Sequence, residues 1–155
     1  MSAPLIQFDA VHYAPAELPV LTDVSFSASE RRIGIVGRNG SGKTTIARVM
    51  AGLVAANSGT VRIAGVDVAQ DRKAAIGVVG ILFQNPDHQI IFPTVEEEIA
   101  FGLIQMGRSK ALVARMVANV LDRFEKSHWA QAPVHQLSQG QRHLVCLMAV
   151  LVYSV

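Results

Sequence analysis

The sequence predicts an α/β protein, and three observations support this fold class. Up to about Phe83, short apolar runs of strand length alternate with turns. Within this part, a glycine-rich turn is followed by a helical stretch. From Pro93 onward the apolar residues recur with the period of a helix. We therefore expect an α/β core over residues 1–92 and a helical subdomain over residues 93–155.

The first part is predicted to contain one helix and five strands. The helix is expected from Lys43 to Ala51, because Gly52 is a typical stop signal. The strands are expected at Leu5–Phe8, Val24–Phe26, Ile33–Val36, Val61–Ile63 and Ile76–Phe83.

The second part contains three helix patterns. Thr94 and Glu97 have the spacing of a capping box, and the glutamates Glu96–Glu98 suit the positive end of a helix dipole better than a metal site. An apolar stripe from Leu112 to Phe124 predicts the second helix. Ser138 and Gln141 repeat the capping-box spacing ahead of the third.

Composition excludes several classes of protein. Of the 155 residues, 50% are hydrophobic and 17% charged, which is typical of a folded domain and not of a disordered chain. The formal charge is +2 and the basic residues are scattered singly, so no nucleic-acid partner is expected. The single cysteine, Cys146, fits a reducing compartment. The longest apolar run, Leu144–Tyr153, is much shorter than the ~20 residues of a membrane span, so we expect a cytoplasmic protein.

The motif with the clearest chemistry is Gly37-Arg38-Asn39-Gly40-Ser41-Gly42-Lys43-Thr44, which matches the phosphate-binding loop pattern in full. Small residues let successive backbone N–H groups face an anion, and the following helix adds its dipole. Lys43 suits the β- and γ-phosphates, and the Thr44 hydroxyl suits Mg²⁺. The predicted strand before the motif and the helix after it disfavour a plain glycine-rich turn. A P-loop by itself indicates a nucleoside triphosphate, and the residues expected to bind it are Asn39, Gly40, Ser41, Gly42, Lys43, Thr44 and Thr45.

Three further motifs narrow this interpretation. Leu137-Ser138-Gln139-Gly140-Gln141 resembles the LSGGQ signature of ATP-binding-cassette (ABC) ATPases, with Gln139 in place of glycine. Leu82–Asp87 is similar to the family's Q-loop, and Tyr13 resembles its adenine-stacking aromatic residue. These motifs lie in the family's order between residues 13 and 141, so the resemblance covers nearly the whole chain.

The resemblance implies a P-loop ABC core with an inserted helical subdomain, and a dimer that holds two ATP molecules between its subunits. Ser138, Gln139, Gly140 and Gln141 would contact the nucleotide bound to the partner's P-loop. Gln84 would reach Mg²⁺ and the attacking water, and its loop would relay the nucleotide state to a membrane subunit. Two alternatives stay open: Ser138 caps a helix in any case, and Tyr13 could be an ordinary half-buried aromatic.

The stretch from Phe83 to Gly102 is similar to the ATPases of energy-coupling-factor importers for vitamins and for cobalt or nickel. Gln139 and the run Gln141–Cys146 look most like the biotin-importing type. The resemblance thus implies the ATP-binding subunit of such an importer, bound to the cytoplasmic face of the membrane, which couples ATP binding and hydrolysis to vitamin uptake. A cobalt or nickel importer is the alternative substrate class.

Carboxylates are missing where the family's catalytic groups would follow. No Asp or Glu occurs after Glu125, although ABC ATPases have an aspartate and a catalytic glutamate on a strand beyond the signature helix, and a histidine later still. We therefore expect a chain that lacks the last part of the core, and Leu151–Val155 reads as a tail unrelated to the family. A catalytically inactive ATP-binding fragment is the competing hypothesis. A soluble ABC ATPase of translation or DNA repair is disfavoured, because such proteins carry a second cassette or long charged insertions.

Overall fold

A computed structural model of the chain describes residues 4–154. The chain forms two compact units, Met1–Gly80 and Ile81–Val155, which we call the first and the second unit. The boundary expected from the sequence, at residue 92, stays a prediction. None of the helices in residues 4–154 combines the length and apolar character needed to cross a membrane.

The first unit is built on a four-stranded antiparallel sheet. Its strands are β1 (Ile6–Tyr13), β2 (Leu21–Ala28), β3 (Ser58–Ile63) and β4 (Val66–Asp67), in the order β2-β1-β3-β4. Phe8 on the central strand lies opposite Phe26 on one side and Val61 on the other, and the two phenylalanine rings stack at 4.7 Å. This apolar face packs with helices α1 (Lys43–Met50) and α2 (Arg72–Val78), whose buried residues are Val49 and Ala75.

Two of the five expected strands are wrong. Residues 33–36 adopt no strand, and within residues 4–154 they make no backbone hydrogen bond, so an apolar run alone did not create a ladder. Val36 is 93% exposed as a result. The run Ile76–Phe83 is not a strand either, because its first residues, up to Val78, are the end of helix α2. This helix begins after Asp71, whose carboxylate accepts the Ala74 N–H at 2.9 Å.

The second unit is a cluster of three helices, α3 (Val95–Gln105), α4 (Lys110–Arg123) and α5 (Gln139–Leu151). Both expected capping boxes are confirmed, at Thr94 with Glu97 and at Ser138 with Gln141. The expected stripe of α4 is also confirmed, because its apolar residues face the common core. The fully buried members of that core include Val95, Ile99, Leu103, Val120, Val145, Met148 and Val152.

Candidate nucleotide-binding site and signature helix

The P-loop forms a tight turn at the start of α1. Gly40 and Gly42 have φ angles of 83° and 86°, in the left-handed region that favours glycine, and Gly42 is the residue at which the helix begins. The Ile46 N–H donates to the Gly42 carbonyl at 2.8 Å, and the Ser41 N–H donates to the Arg38 carbonyl at 3.2 Å. The loop is exposed, so a phosphate can reach its backbone N–H groups at the positive end of α1.

Lys43 is held across this loop. Its ammonium donates to the Gly37 carbonyl at 2.7 Å and to the Arg38 carbonyl at 2.6 Å. An ammonium has three donors, so one stays free for a phosphate oxygen. The positive charge is therefore fixed beside the loop by two hydrogen bonds that do not involve a ligand.

Tyr13 lies in the same unit as the P-loop and is connected to it through one short segment. The Val20 N–H donates to the Tyr13 carbonyl at 2.9 Å. A Cβ atom on Gly42 would lie 3.2 Å from the Val20 carbonyl and 3.0 Å from Leu21 Cδ2, so this segment packs closely on the P-loop. Tyr13 is half-buried against the sheet core. Both the adenine-stacking role and the ordinary aromatic role stay predictions.

The Q-loop and the signature lie in the second unit. The Gln84 side chain is exposed, and the loop behind it forms a single 3₁₀ turn at Pro86–His88. Ser138 Oγ accepts the Gln141 N–H at 3.3 Å, and Gln141 Oε1 accepts the Ser138 N–H at 2.7 Å. Ser138, Gln139, Gly140 and Gln141 are all exposed at the start of α5. These side chains can contact a molecule outside the unit while Ser138 caps its helix.

Glu98 has a role that the sequence interpretation missed. It is only 6% exposed, and its Oε2 accepts the N–H groups of Ile91 and Phe92, each at 2.9 Å. The carboxylate thus holds the segment that connects the Q-loop to α3. The other two glutamates, Glu96 and Glu97, lie in the first turn of α3 as the sequence predicted. The available signal was its position on the apolar face of α3, beside Val95 and Ile99.

Cys146 is fully buried in α5. Burial, together with the nearby negative charge of Glu98, raises the pKa of its thiol to about 11. A protonated, inaccessible thiol behaves as a small apolar side chain. Among residues 4–154, no group of three His, Cys, Asp or Glu side chains is arranged to hold a metal ion.

The fold, the P-loop and the signature helix together define an ATP-binding module, and comparison with known proteins gives its family. The family model described as ABC transporter matches residues 21–154. The chain therefore belongs to the ABC transporter family, as the sequence motifs predicted.

Individual relatives give finer information. The chain is 52% identical to the biotin transport ATP-binding protein BioM of Rhodobacter capsulatus. The alignment of 132 residues covers 85% of this chain and 56% of that relative. It is 38% identical to the energy-coupling factor transporter ATP-binding protein EcfA1 of Lacticaseibacillus paracasei, over 90% of this chain and 51% of the relative. The chain thus spans only about half the length of both relatives.

A solved structure has the same fold. The structure of cbiO1 from Clostridium perfringens, described as part of the ABC transporter complex cbiONQ, superposes with a TM-score of 0.78 at 25% identity. The match covers 99% of this chain and 63% of that protein. It supports the expected fold class of an ABC-type P-loop core with a helical subdomain.

Proposed function

We propose that this chain is the ATP-binding part of an energy-coupling-factor importer, which couples ATP binding and hydrolysis to the uptake of a vitamin. Biotin is the vitamin that we propose. The observation that carries the proposal is the complete P-loop, shaped by Gly40 and Gly42, in a chain that is 52% identical to a biotin transport ATP-binding protein. The protein would act at the cytoplasmic face of the membrane.

The P-loop residues fit a magnesium nucleotide. Free backbone N–H groups and the third Lys43 donor suit the phosphates, and the hydroxyl of Thr44 is the kind of oxygen ligand that Mg²⁺ accepts. Asn39, Gly40, Ser41 and Thr45 complete the proposed phosphate contacts, and Tyr13 would stack on the base. Bound Mg²⁺ supplies charge neutralisation at the phosphates. Gln84 would supply an amide oxygen for the ion and orient water.

The proposed partners are a second ABC ATPase subunit and an integral membrane subunit. A second subunit is needed because Ser138, Gln139, Gly140 and Gln141 would contact the nucleotide of the opposite P-loop, in a two-fold arrangement. The exposure of all four residues at the start of α5 supports this role.

A groove of about 1090 Å³ in the second unit suits the membrane subunit. Apolar residues of α3 and α4 line it, including Ala100, Ile104, Val113 and Val117. Glu96 and Glu97 lie at the start of α3. Arg108 precedes α4 and Lys110 is its first residue, so the lining carries both charge signs. An amphipathic helix from the cytoplasmic side of the membrane subunit, with charges of both signs, is the occupant that we propose.

A cobalt or nickel importer is the second candidate, and one observation favours it: the likeness to cbiO1, part of the complex cbiONQ. Both candidates predict the same ATP chemistry. They differ in the cargo, which is recognised by other subunits.

Nucleotide binding can be tested directly on this chain. Losing a charge-assisted phosphate contact costs ~2–3 kcal/mol, so Lys43→Ala should weaken ATP–Mg²⁺ binding at least tenfold. Isothermal calorimetry on the wild type and the variant measures this change. Lys73→Ala, an exposed lysine of the same unit, is the matched control and should bind like the wild type. Equal affinities for the two variants would contradict the P-loop assignment.

The cargo is tested by transport. The chain is co-expressed with the membrane subunits of a biotin importer, and uptake of labelled biotin and of cobalt is measured in parallel, with and without Lys43→Ala. Biotin uptake that depends on Lys43 supports the proposal. Cobalt uptake without biotin uptake would support the second candidate instead.

A further inference from the structure

The Q-loop, here called the Gln84 loop, is joined to α5, the helix that begins with the signature, by two consecutive side chains of that helix. Nε2 of His143 lies 2.8 Å from the Gln84 carbonyl oxygen. A carbonyl can only accept, so this ring nitrogen carries the proton and donates. One residue earlier, Nε of Arg142 lies 3.1 Å from Oδ1 of Asp87.

Arg142 also contacts the start of the signature. Its Nη1 donates at 2.9 Å to the carbonyl of Leu137, which directly precedes the helix-capping Ser138. One planar guanidinium therefore connects the signature to the Gln84 loop. Its Nε is buried and makes no hydrogen bond, so the contact with Asp87 is an ion pair, and removing that carboxylate would leave the guanidinium without its neighbouring negative charge.

The loop itself has internal support. Asn85 Oδ1 accepts the Asp87 N–H at 3.0 Å, and the Gln89 N–H donates to the carbonyl of the buried Pro86 at 2.9 Å. The side chain of Gln84 is exposed to solvent. The backbone at this position is therefore fixed while the amide group stays free to meet a ligand.

We propose that Arg142 and His143 are positioning residues that hold the Gln84 loop on the signature helix, so that the two nucleotide-facing elements of the second unit move as one body. The functional consequence rests on the proposed ATP-binding role. A displacement of Ser138–Gln141 on contact with nucleotide is then carried to Gln84 through α5, without a change in the P-loop.

Amide hydrogen exchange of the full chain, resolved by NMR, tests the contact. His143→Leu and Arg142→Ala should each speed exchange of the hydrogen-bonded amides between Asp87 and Ile90 at least tenfold. His143→Gln keeps an N–H donor of similar reach and should restore most of the protection. Exposed Arg115→Ala on α4 is the control and should leave these rates unchanged.

Two further measurements distinguish the loss of this contact from unfolding of the unit. The amides of α4 report whether the unit stays folded, and Asp87→Asn tests the Arg142 contact at a residue that is 57% exposed and lies outside α5. Wild-type exchange in His143→Leu, Arg142→Ala and Asp87→Asn overturns the proposal, and so does exchange in His143→Gln as fast as in His143→Leu. If the wild-type chain fails to bind ATP–Mg²⁺ in calorimetry, the proposed function fails, whereas the exchange rates decide the contact by themselves.

Discussion

At the scale of single residues, the buried carboxylate of Glu98 stabilises the second unit. Glu98 shows how one carboxylate stabilises a segment that has no regular structure, since it accepts two backbone N–H groups that would otherwise be unpaired. Such a contact depends on the tertiary fold. Sequence reasoning placed Glu98 in a capping cluster, because the charge pattern of the first turn accounts for all three glutamates equally well.

Glu98→Ala should lower the free energy of unfolding by about 2–4 kcal/mol, because it removes two charge-assisted hydrogen bonds and leaves two backbone donors unpaired. Chemical denaturation followed by circular dichroism measures the change. Glu98→Gln retains an acceptor oxygen and should lose clearly less. Glu97→Ala, which removes only an exposed capping contact, is the control and should cost about 1 kcal/mol. Equal losses for Glu98→Ala and Glu97→Ala would contradict the assigned role.

The Cys146 thiol should react very slowly in the folded chain. A pKa raised from 9.0 to about 11 leaves roughly 100-fold less thiolate at pH 8, and burial blocks access as well. Iodoacetamide labelling followed by mass spectrometry should show modification only when denaturant is added. Fast labelling of the native chain would show that α5 opens readily.

The same shift predicts a direction for stability against pH. The folded pKa is raised above the unfolded value, so the contribution of Cys146 is fully present below about pH 9 and is lost as the pH rises toward 11. Cys146→Ala should remove this part of the alkaline loss. Denaturation midpoints of both proteins at pH 8 and pH 10.5 provide the comparison.

At the scale of elements, local signals predicted the helices of the second unit well. Thr94, Ser138 and the stripe of α4 act within one helix turn or along one helix face, so neighbouring residues suffice to specify them. The expected strand at residues 33–36 failed for the opposite reason. A strand needs a hydrogen-bonded neighbour that is remote in the chain, and an apolar run does not say whether one is present.

In the candidate site, too, features set by neighbouring residues could be predicted, whereas contacts between distant residues could not. The turn of the P-loop and the helix after it follow from residues close together in the sequence and were predicted, whereas the strand expected before the loop is absent. The contacts of Arg142 and His143 with the Gln84 loop join residues more than fifty positions apart, and no local pattern indicates them. The sequence predicted the order of the Q-loop and the signature along the chain. It did not predict that they are in contact through α5.

The pairing of β1 with β3 gives a prediction at the element scale. Gly59 has φ 84°, and a Cβ atom there would lie 2.4 Å from the Ala10 carbonyl oxygen and 2.5 Å from that of Asp9. Gly59→Ala must therefore shift backbone atoms in the sheet, and we expect a loss of about 2–4 kcal/mol in unfolding free energy. Thermal or urea denaturation measures it.

Gly65→Ala is the matched control for this change. Gly65 has a similar φ of 81°, but nothing lies within 4 Å of an added Cβ atom. It should therefore cost only the backbone strain, ~1 kcal/mol. If the two alanine variants were equally stable, close packing of β1 on β3 would not be the reason for glycine at position 59.

At the scale of the whole molecule, the first unit has an apolar segment that lies outside its own core. Ile33, Ile35 and Val36 are exposed by 43%, 41% and 93%, and their backbone groups lack hydrogen-bonded neighbours within residues 4–154. The segment directly precedes the P-loop. An exposed apolar segment with unpaired backbone groups is a template for pairing with another chain, so self-association of the 155-residue chain should begin here.

Replacing apolar residues of this segment should raise solubility without harming the fold. We expect the double variant Ile35→Thr, Val36→Lys to lower the rate of aggregation several-fold at 37 °C, because it adds charge and removes apolar edge. Static light scattering against time measures the rate, and circular dichroism checks that the helices persist. Leu18→Lys, at a leucine that is 70% exposed in a different turn, is the control for added charge alone. An equal improvement in Leu18→Lys would attribute the effect to net charge, and would remove residues 33–36 as the site where chains associate.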